Sequence, residues 1–180
     1  MKIETELKYL VSNIIPKYDE KIAIEQIYLL PNEEEQKVLK KKAGAKEAQI
    51  NTYRIRFVKT KNNNKYLLTL KTKGDISREE YEALITKEDY QQYQEISNES
   101  KIIKNRYIKN YKGYIFEFDE YLNIEPIFYT CEIELDNNDI ENNKKIIEDI
   151  LINDFNLTFT DVTREKKYKN KYLYKYFCIK

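Results

Sequence analysis

Charged and apolar residues alternate with a period of two along most of this 180-residue chain. Near the start, Glu4, Glu6 and Lys8 occupy every second position between less polar side chains. Successive side chains of a β-strand point to opposite faces, so this pattern predicts strands with one charged and one apolar face. We predict eight strands, at residues 3–11, 22–30, 53–57, 65–73, 78–83, 103–107, 116–121 and 131–135.

Helical patterns are fewer and lie between or after the strands. Residues 87–94 predict a short helix, and residues 138–153 predict a longer one with isoleucines near helical spacing. Residues 32–49 form a charged insert that we expect to be partly helical, and residues 61–64 predict a hairpin turn. Many strands with few helices predict an α+β fold with an antiparallel sheet, in a single domain that spans residues 1–180.

The charges come mostly in like-charged pairs two residues apart. These pairs are Glu4/Glu6, Arg54/Arg56, Lys71/Lys73, Glu80/Glu82, Lys104/Arg106, Glu117/Asp119 and Glu132/Glu134. The ordinary explanation of such alternation is a sheet with one solvated face. Like charges gain nothing from each other, however, so a solvated face would mix the signs. If the strands close into a barrel with the charged faces inside, we expect a polyphosphate and a divalent metal to compensate the two kinds of pair.

The composition excludes several kinds of catalytic site and partner. The sequence has no histidine, which excludes Ser-His and Cys-His nucleophiles, histidine metal sites and histidine bases. A formal net charge of +1 gives no reason to expect nucleic acid or a membrane as a partner. Cys131 and Cys178 lack metal-ligand spacing and are expected to be free thiols. The N-terminal residues do not resemble a signal peptide. Together with the free thiols, this predicts a cytoplasmic location.

Ordered motifs through the chain resemble those of the CYTH superfamily, the triphosphate tunnel metalloenzymes. The resemblance begins with Glu4-x-Glu6-x-Lys8, and the tail at residues 161–171 is similar to that of short bacterial inorganic triphosphatases. Between them lie Gln26-x-Tyr28, Arg54-x-Arg56, Leu68-Thr69-Leu70-Lys71, Arg78-Glu79-Glu80-Tyr81-Glu82, Lys104-x-Arg106, Glu117-Phe118-Asp119 and Glu132-x-Glu134. Each motif is common by itself, but nine of them in order are not. The resemblance implies a closed or nearly closed eight-stranded antiparallel β-barrel, the tunnel, with a few peripheral helices.

The same resemblance implies roles for the side chains of the lumen. The carboxylates that would bind Mg2+ or Mn2+ are Glu4, Glu6, Glu132, Glu134, Asp119 and Glu117. Further lumen acids, which either assist the metal or pair with lumen bases, are Glu80 and Glu82. The bases that would contact substrate phosphates are Lys8, Arg54, Arg56, Lys71, Lys73, Lys104, Arg106 and Lys167, with Lys166 as the competitor of Lys167. The catalytic residues would be Lys71 and Tyr28, and the alternative for Tyr28 is packing in the core.

We expect metal-dependent hydrolysis of a triphosphate, with inorganic tripolyphosphate split to pyrophosphate and phosphate as the first choice. A class IV adenylyl cyclase and a thiamine or nucleoside triphosphatase are the enzymatic alternatives, so ATP and thiamine triphosphate are further candidate substrates. The lack of tryptophan disfavours stacking on a thiamine ring. The non-enzymatic alternative is a polyphosphate- or nucleotide-binding module, and the oligomeric state stays open.

Overall fold

A computed structural model of the protein describes residues 1–12, 15–74, 76–97, 101–135 and 139–179. Its strands are β1 (Lys2–Val11), β2 (Glu20–Leu29), β3 (Ile50–Lys59), β4 (Asn64–Thr72), β5 (Ser77–Ile85), β6 (Ile102–Tyr111), β7 (Tyr114–Tyr121), β8 (Ile124–Glu125), β9 (Tyr129–Glu134), β10 (Phe159–Asp161) and β11 (Cys178–Ile179). Its helices are α1 (Glu33–Ala43), α2 (Lys87–Gln94), α3 (Ile140–Asp149) and α4 (Leu173–Tyr176). A π-helical turn, Ile150–Asp154, continues α3, and 3₁₀ turns span Lys166–Tyr168 and Asn170–Tyr172.

Eight of these strands form a closed antiparallel barrel. Their order is β1-β5-β4-β3-β2-β6-β7-β9, and β9 pairs back with β1. On its other side, β1 pairs with β5 through Lys2–Thr5 and with the short strand β10 through Tyr9–Val11. Strands β8 and β11 pair separately. The predicted α+β fold with an eight-stranded barrel is therefore confirmed, and closure removes the exposed edges that an open sheet would leave.

The apolar faces of the strands point outwards and are covered by helices. Helices α1 and α2 contribute Leu39, Tyr90 and Tyr93 to a cluster with the outer residues of β2 to β5. Helix α3 and its π-helical turn contribute Ile147 and Leu151 to a second cluster with β1, β7 and β9. Each fully buried side chain of this size stabilises the fold by about 1.5–3 kcal/mol relative to exposure. Because the apolar faces are buried outside the barrel, the charged faces are left to line its lumen.

The charged insert at residues 32–49 is mostly helix α1, which has a capping interaction at each end. The Asn32 side chain accepts hydrogen bonds from the backbone N–H groups of Glu34 and Glu35, and the Glu35 carboxylate accepts the Asn32 N–H. This reciprocal cap satisfies donors that the first helical turn leaves free. At the other end Gly44 has φ 73°, a left-handed conformation that glycine adopts without steric cost.

Most other predicted elements lie close to their predicted bounds. The predicted turn at residues 61–64 joins β3 and β4, and the predicted helix at residues 87–94 is α2. The long predicted helix begins later, at Ile140, and Asn138 lies outside the described residues. Cys131 is a buried free thiol, as expected, whereas the side chain of Cys178 is outside the description. In the part of the chain that is described, no helix combines the length and apolarity needed to cross a bilayer.

The segment after β10, residues 162–177 and here called the tail, lies across one end of the barrel. Asn170 Oδ1 accepts hydrogen bonds from Lys8 Nζ at 3.4 Å and from the Tyr121 hydroxyl at 2.5 Å. Lys171 Nζ donates to the carbonyl oxygen of Asn51 at 2.7 Å. The tail is thus anchored to β1, β7 and β3, three strands that are not neighbours around the barrel.

Candidate active site

A cavity of about 620 Å³ occupies the lumen, and side chains from all eight barrel strands and from the tail line it. Fifteen of the predicted site residues line this one cavity: Glu4, Glu6, Lys8, Tyr28, Arg54, Arg56, Lys71, Lys73, Glu80, Glu82, Lys104, Arg106, Glu117, Glu132 and Glu134. They come from strands far apart in sequence, so only closure of the barrel brings them together. The alternative in which the charged faces are solvated outer faces is therefore wrong.

Two predicted site residues lie elsewhere. Asp119 has the inward parity but is fully buried behind the lining, where it binds Lys104 and Arg106. Lys167 points away from the cavity: its side chain is 48% exposed, and Nζ lies 3.4 Å from Glu165. Strand alternation does not apply to Lys167 because it belongs to a 3₁₀ turn. The tail lysines that do line the cavity are Lys166, Lys169 and Lys171.

One charge network joins β1, β4 and β5. Lys71 Nζ lies 2.6 Å from Glu4 Oε1 and 2.6 Å from Glu80 Oε2. Arg78 Nε donates to Glu4 Oε2 at 2.7 Å. Burial opposes ionisation of Glu4, yet Lys71 and Arg78 lower its pKa to about 2. Glu4 is therefore a carboxylate at any ordinary pH, held between two cations.

A second network joins β1, β6, β7 and β9. Lys8 Nζ donates to Glu132 at 2.7 Å, and Arg106 bonds to Asp119, Glu132 and Glu117. Burial opposes ionisation of Glu132, but Lys8 and the cations of β6 hold its pKa well below the usual range. Burial is also the largest effect on Lys104: with the neighbouring Arg106 it lowers the Lys104 pKa to about 8.

The two arginines of β3 have unsatisfied hydrogen-bonding capacity. Arg54 and Arg56 both line the cavity, and within the described residues each has a buried Nε–H without an acceptor. Burial, then repulsion from Arg54, lowers the pKa of Arg56. A buried donor without an acceptor is costly, and a guanidinium suits the oxygens of phosphate. The arginines of β3 are therefore the part of the lumen that most clearly needs an anion.

On the acidic side of the lumen, glutamates of neighbouring strands lie close to one another. Glu6 lies directly opposite Glu134 in the pairing of β1 with β9, and like charges in such positions repel. Burial, followed by the charges of Glu132 and Glu4, raises the pKa of Glu6 to about 7. In the described residues no three acidic side chains converge as metal ligands do. Glu4 is paired with Lys71 and Arg78, and Glu132 with Lys8 and Arg106. The all-oxygen donor set nevertheless fits a hard divalent cation, which would relieve this repulsion.

Comparison with known families decides the affiliation. The sequence profile of the CYTH domain family matches residues 2–169. This chain belongs to the CYTH domain family. The match includes every barrel strand and the first turns of the tail, which confirms the resemblance seen in the ordered motifs. A search among curated protein sequences finds no match.

Solved structures of similar fold agree with the CYTH assignment. The inorganic triphosphatase NE1496 is 23% identical with a TM-score of 0.57, and the match covers 96% of this chain and 95% of that one. HpAC1 from Hippeastrum, an adenylyl cyclase candidate with a dominant triphosphatase activity, is 17% identical with a TM-score of 0.60, covering 97% and 96%. PH1819 from Pyrococcus horikoshii OT3 is 19% identical with a TM-score of 0.59, covering 87% and 93%. At these identities the similarity supports the shared fold.

The two predicted catalytic residues of this CYTH domain have different partners. Tyr28 lies opposite Arg54 in the pairing of β2 with β3, and its hydroxyl is within 3.5 Å of Gln26 Nε2. Burial raises the pKa of Tyr28, so its hydroxyl stays protonated, and in this structure it accepts a hydrogen bond from Gln26 Nε2. Lys71 is held by Glu4 and by Glu80, on the β5 side of the lumen.

The structure adds lining residues that the sequence prediction missed. Arg78 shares the inward parity of Glu80 and Glu82, so the alternation of β5 already contained its signal. Lys169, Asn170 and Lys171 line the same cavity but lie in the turns of the tail, where no period of two exists. Only the closed fold places them at the lumen.

Proposed function

We propose that this CYTH domain is a metal-dependent triphosphatase that splits inorganic tripolyphosphate into pyrophosphate and phosphate. The observation that carries the proposal is the charge of the lumen. Seven cations of the barrel strands face seven carboxylates in one cavity: Lys8, Arg54, Arg56, Lys71, Arg78, Lys104 and Arg106 against Glu4, Glu6, Glu80, Glu82, Glu117, Glu132 and Glu134. A compact polyanion and a divalent cation together satisfy both sets, whereas either one alone would leave charge uncompensated.

The cations would bind the substrate. Arg54 and Arg56 offer their unsatisfied Nε–H groups to phosphate oxygens. Lys8, Lys71 and Arg106 would exchange a glutamate partner for a phosphate oxygen. Lys104, which keeps Asp119, and Arg78 would contact the phosphates as well. Asp119 is assigned a positioning role instead of metal ligation, because it is fully buried and holds Lys104 and Arg106 from behind. Lys73 would contact the substrate from the end of the barrel covered by the tail.

The carboxylates would hold Mg2+ or Mn2+. Glu6 and Glu134, which face each other across β1 and β9, are the first candidates, together with Glu4 and Glu132. Glu117, Glu80 and Glu82 would support a second ion or keep the lumen bases in place. When bound, the metal supplies charge neutralisation on the phosphate oxygens and lowers the pKa of a bound water.

The reaction needs positioning more than covalent chemistry. The oxygen of water forms a bond to phosphorus while the phosphoanhydride P–O bond breaks, and pyrophosphate leaves with the electron pair. The proton that the water loses passes to a released phosphate or to solvent. Tyr28, kept protonated, would donate a hydrogen bond to a phosphate oxygen beside Arg54. Lys71, on the β5 side of the lumen, would stabilise the charge that develops on the transferred group.

One assay tests the proposal against its alternatives. Purified protein is given tripolyphosphate, ATP or thiamine triphosphate with Mg2+, with Mn2+ or with excess chelator, and phosphate, pyrophosphate and cyclic AMP are measured. We expect the highest kcat/KM with tripolyphosphate and no turnover in chelator. Cyclic AMP as the main product from ATP would favour a cyclase, and preference for thiamine triphosphate a thiamine triphosphatase. Tight binding without turnover of any substrate would favour a binding module.

A further inference from the structure

Tyr121 is a buried residue of β7 that lies behind the lining of the lumen. Its side chain is fully buried, and it has the same inward parity as Glu117 and Asp119. The ring of Phe128 packs against it at a centroid distance of 4.8 Å, and Leu173 of the tail belongs to the same apolar cluster. Because buried side chains are closely packed, the ring of Tyr121 has a fixed position between the lumen and the tail.

The hydroxyl of Tyr121 has three polar partners. It donates to Asn170 Oδ1 of the tail at 2.5 Å and accepts from Lys8 Nζ at 3.3 Å. Thr130 Oγ1 lies 3.4 Å away and can donate to it as well. A phenylalanine would fill the same space without the cost of removing a hydroxyl from water. The hydroxyl is therefore explained by its polar partners and not by packing, and Lys8 is the charged one among them.

The ammonium group of Lys8 uses all three of its N–H groups. Glu132 Oε1 accepts from Nζ at 2.7 Å, the Tyr121 hydroxyl at 3.3 Å and Asn170 Oδ1 at 3.4 Å. Two of these acceptors are neutral, whereas Lys71 is bound by carboxylates of both β1 and β5. A neutral acceptor fixes the direction of an N–H group and leaves the positive charge in place. Tyr121 and Asn170 therefore hold the ammonium group of Lys8 without neutralising it.

The third partner of Lys8 is a carboxylate that the proposed function assigns to the metal. If Glu132 binds a divalent cation, the N–H group of Lys8 that it accepted becomes available in the lumen, where Glu132 lines the cavity. The other two N–H groups still bind Tyr121 and Asn170, so the ammonium group keeps its position. A cation that is already held in place binds a phosphate oxygen at a lower entropic cost than a free lysine.

The ring of Tyr121 contacts a second lumen lysine. Lys104 Nζ lies 5.7 Å from the ring centroid and Lys8 Nζ 5.9 Å, and Lys104 is directly opposite Tyr121 in the pairing of β6 with β7. Cation–π attraction acts within about 6 Å and is strongest for a desolvated ammonium group. The ring therefore stabilises two like charges that repel each other in the same part of the lumen.

We propose that Tyr121 is a positioning residue of the triphosphate site, which together with Asn170 holds Lys8 so that one N–H group of Lys8 binds a substrate phosphate. This inference rests on the proposed triphosphatase function, because Lys8 needs a phosphate in the lumen to act on. Tyr121 is fully buried and acts through Lys8, not on the substrate itself. Asn170 lines the cavity and connects the position of the tail to the same lysine.

The test is a double-mutant cycle. Tyr121→Phe removes the hydroxyl and keeps the ring, Asn170→Ala removes the acceptor on the tail, and Lys8→Met removes the ammonium group; each of the first two is also combined with Lys8→Met. The matched control is Tyr114→Phe on the same strand, whose hydroxyl donates to Asn143 Oδ1 at 2.7 Å and whose ring packs in the outer apolar cluster. Calorimetry gives the Kd of tripolyphosphate with Mg2+, phosphate release gives kcat and KM, and thermal unfolding gives the Tm.

We expect Tyr121→Phe to raise the Kd and the KM of tripolyphosphate about 10-fold, which corresponds to one hydrogen bond to a charged group. Its kcat should change less than about 3-fold, because a contact made in both the bound and the transition state affects mainly KM. Asn170→Ala should raise the Kd by a similar factor. In the Lys8→Met background both changes should alter the Kd less than about 2-fold, since residues that act through one group are not additive. Tyr114→Phe should leave Kd, KM and kcat unchanged.

Other outcomes would overturn the inference, and they separate it from the proposed function. An unchanged Kd in Tyr121→Phe, with tripolyphosphate still hydrolysed, leaves the function standing and removes Tyr121 from the site. An equal loss with and without Lys8 means that the hydroxyl does not act through this lysine. An equal loss of binding in Tyr114→Phe reveals a general disturbance of β7. If the wild type binds ATP instead of tripolyphosphate, the proposed substrate is wrong, and the same cycle with ATP confirms or overturns the role of Tyr121.

Discussion

At the scale of single residues, two glutamates on one strand have opposite electrostatic situations. Glu4 and Glu6 both point into the lumen from β1, two positions apart. Lys71 and Arg78 bind Glu4 at 2.6 and 2.7 Å. Glu6 is half-buried near Glu132 and Glu4 and opposite Glu134, and its ion pair with Arg78 is longer, at 4.0 Å. The same residue type therefore stabilises the metal-free protein at one position and destabilises it at the other.

The first prediction follows from that contrast. The pKa of Glu4 is lowered from 4.5 to about 2, so its ionised form stabilises the fold at every pH above about 4.5, and Glu4→Gln should cost about 3 kcal/mol. The pKa of Glu6 is raised to about 7, so ionisation of Glu6 costs stability increasingly as pH rises from 4.5 through 7. Glu6→Gln should therefore increase the free energy of unfolding, by up to about 3 kcal/mol at pH 8 and much less at pH 5.

Urea unfolding of both metal-free variants at pH 5 and pH 8 measures these changes. The effect of Glu4→Gln should be nearly the same at the two pH values, whereas that of Glu6→Gln should grow with pH. Both variants should lose triphosphatase activity, since we assign both carboxylates to the metal. If Glu6→Gln destabilises the protein at pH 8, the repulsion that we infer among the lumen acids is absent.

The second prediction concerns Asp119. This residue is fully buried and bound to Lys104 and Arg106. Asp119→Asn should therefore remove the negative charge that compensates these two buried cations. Breaking such a buried ion pair costs roughly 3–5 kcal/mol. Thermal unfolding in excess chelator, with Glu117→Gln as the partly exposed control on the same strand, measures the loss. An undiminished stability together with a lost Mg2+ response would instead make Asp119 a direct metal ligand.

At the scale of elements, strand β3 tests which face of the barrel is internal. Arg54 and Arg56 face the cavity, while Ile55 is fully buried in the outer apolar cluster. Arg54→Ala and Arg56→Ala should each weaken tripolyphosphate binding by about 1.5–3 kcal/mol, the usual value of a hydrogen bond to a charged group. Ile55→Ala should lower the free energy of unfolding by roughly 2–5 kcal/mol and leave KM almost unchanged in the folded fraction.

Calorimetric titration and urea unfolding separate these two effects. The three variants change consecutive residues of one strand, so a general disturbance of β3 would affect binding and stability together in all of them. That result would contradict the division between an inner charged and an outer apolar face.

The same strands explain how much the sequence could predict. A period of two is a local property, so the eight strands and the inward face of Arg54, Lys71 or Glu132 follow from neighbouring residues. The partners of each strand depend on long-range pairing, such as that of β1 with β5, β9 and β10, which no local pattern encodes.

Two residues mark the limits of local patterns in the site. Parity places Asp119 inside correctly but does not reveal its depth, which depends on the long side chains of Lys104 and Arg106 covering it. Lys167 and Lys166 are adjacent on a 3₁₀ turn, and only the packing of the tail decides that Lys166 lines the cavity. Depth and turn geometry are tertiary properties.

At the scale of the whole molecule, the barrel has a charged interior and an apolar exterior covered by helices. Two large apolar clusters lie between the barrel wall and the helices, and a third lies beneath the tail. The lumen can therefore hold many ionised groups without being the main source of stability. A buried ion pair adds little net stability, because desolvation of its two charges offsets much of their mutual attraction.

The last prediction concerns the coupling between metal and substrate. The strand-lined lumen is balanced, so Mg2+ alone adds uncompensated positive charge and tripolyphosphate alone adds uncompensated negative charge. Each ligand offsets part of the charge that the other adds, so each should increase the affinity of the protein for the other by the same factor. A ligand that binds only the native state at 100 times its Kd stabilises it by about 2.7 kcal/mol.

We therefore expect the Tm increase with both ligands to exceed the sum of the increases with each alone. In the double variant Arg54→Ala/Arg56→Ala, this excess in the Tm increase should shrink, because the arginines that we assign to phosphate binding are absent. The core variant Ile55→Ala should keep the excess. Thermal unfolding at four ligand conditions, with pyrophosphate and Mg2+ as the control for metal chelation in solution, measures the excess directly. Strictly additive shifts in the wild type would mean that metal and triphosphate do not meet in the lumen.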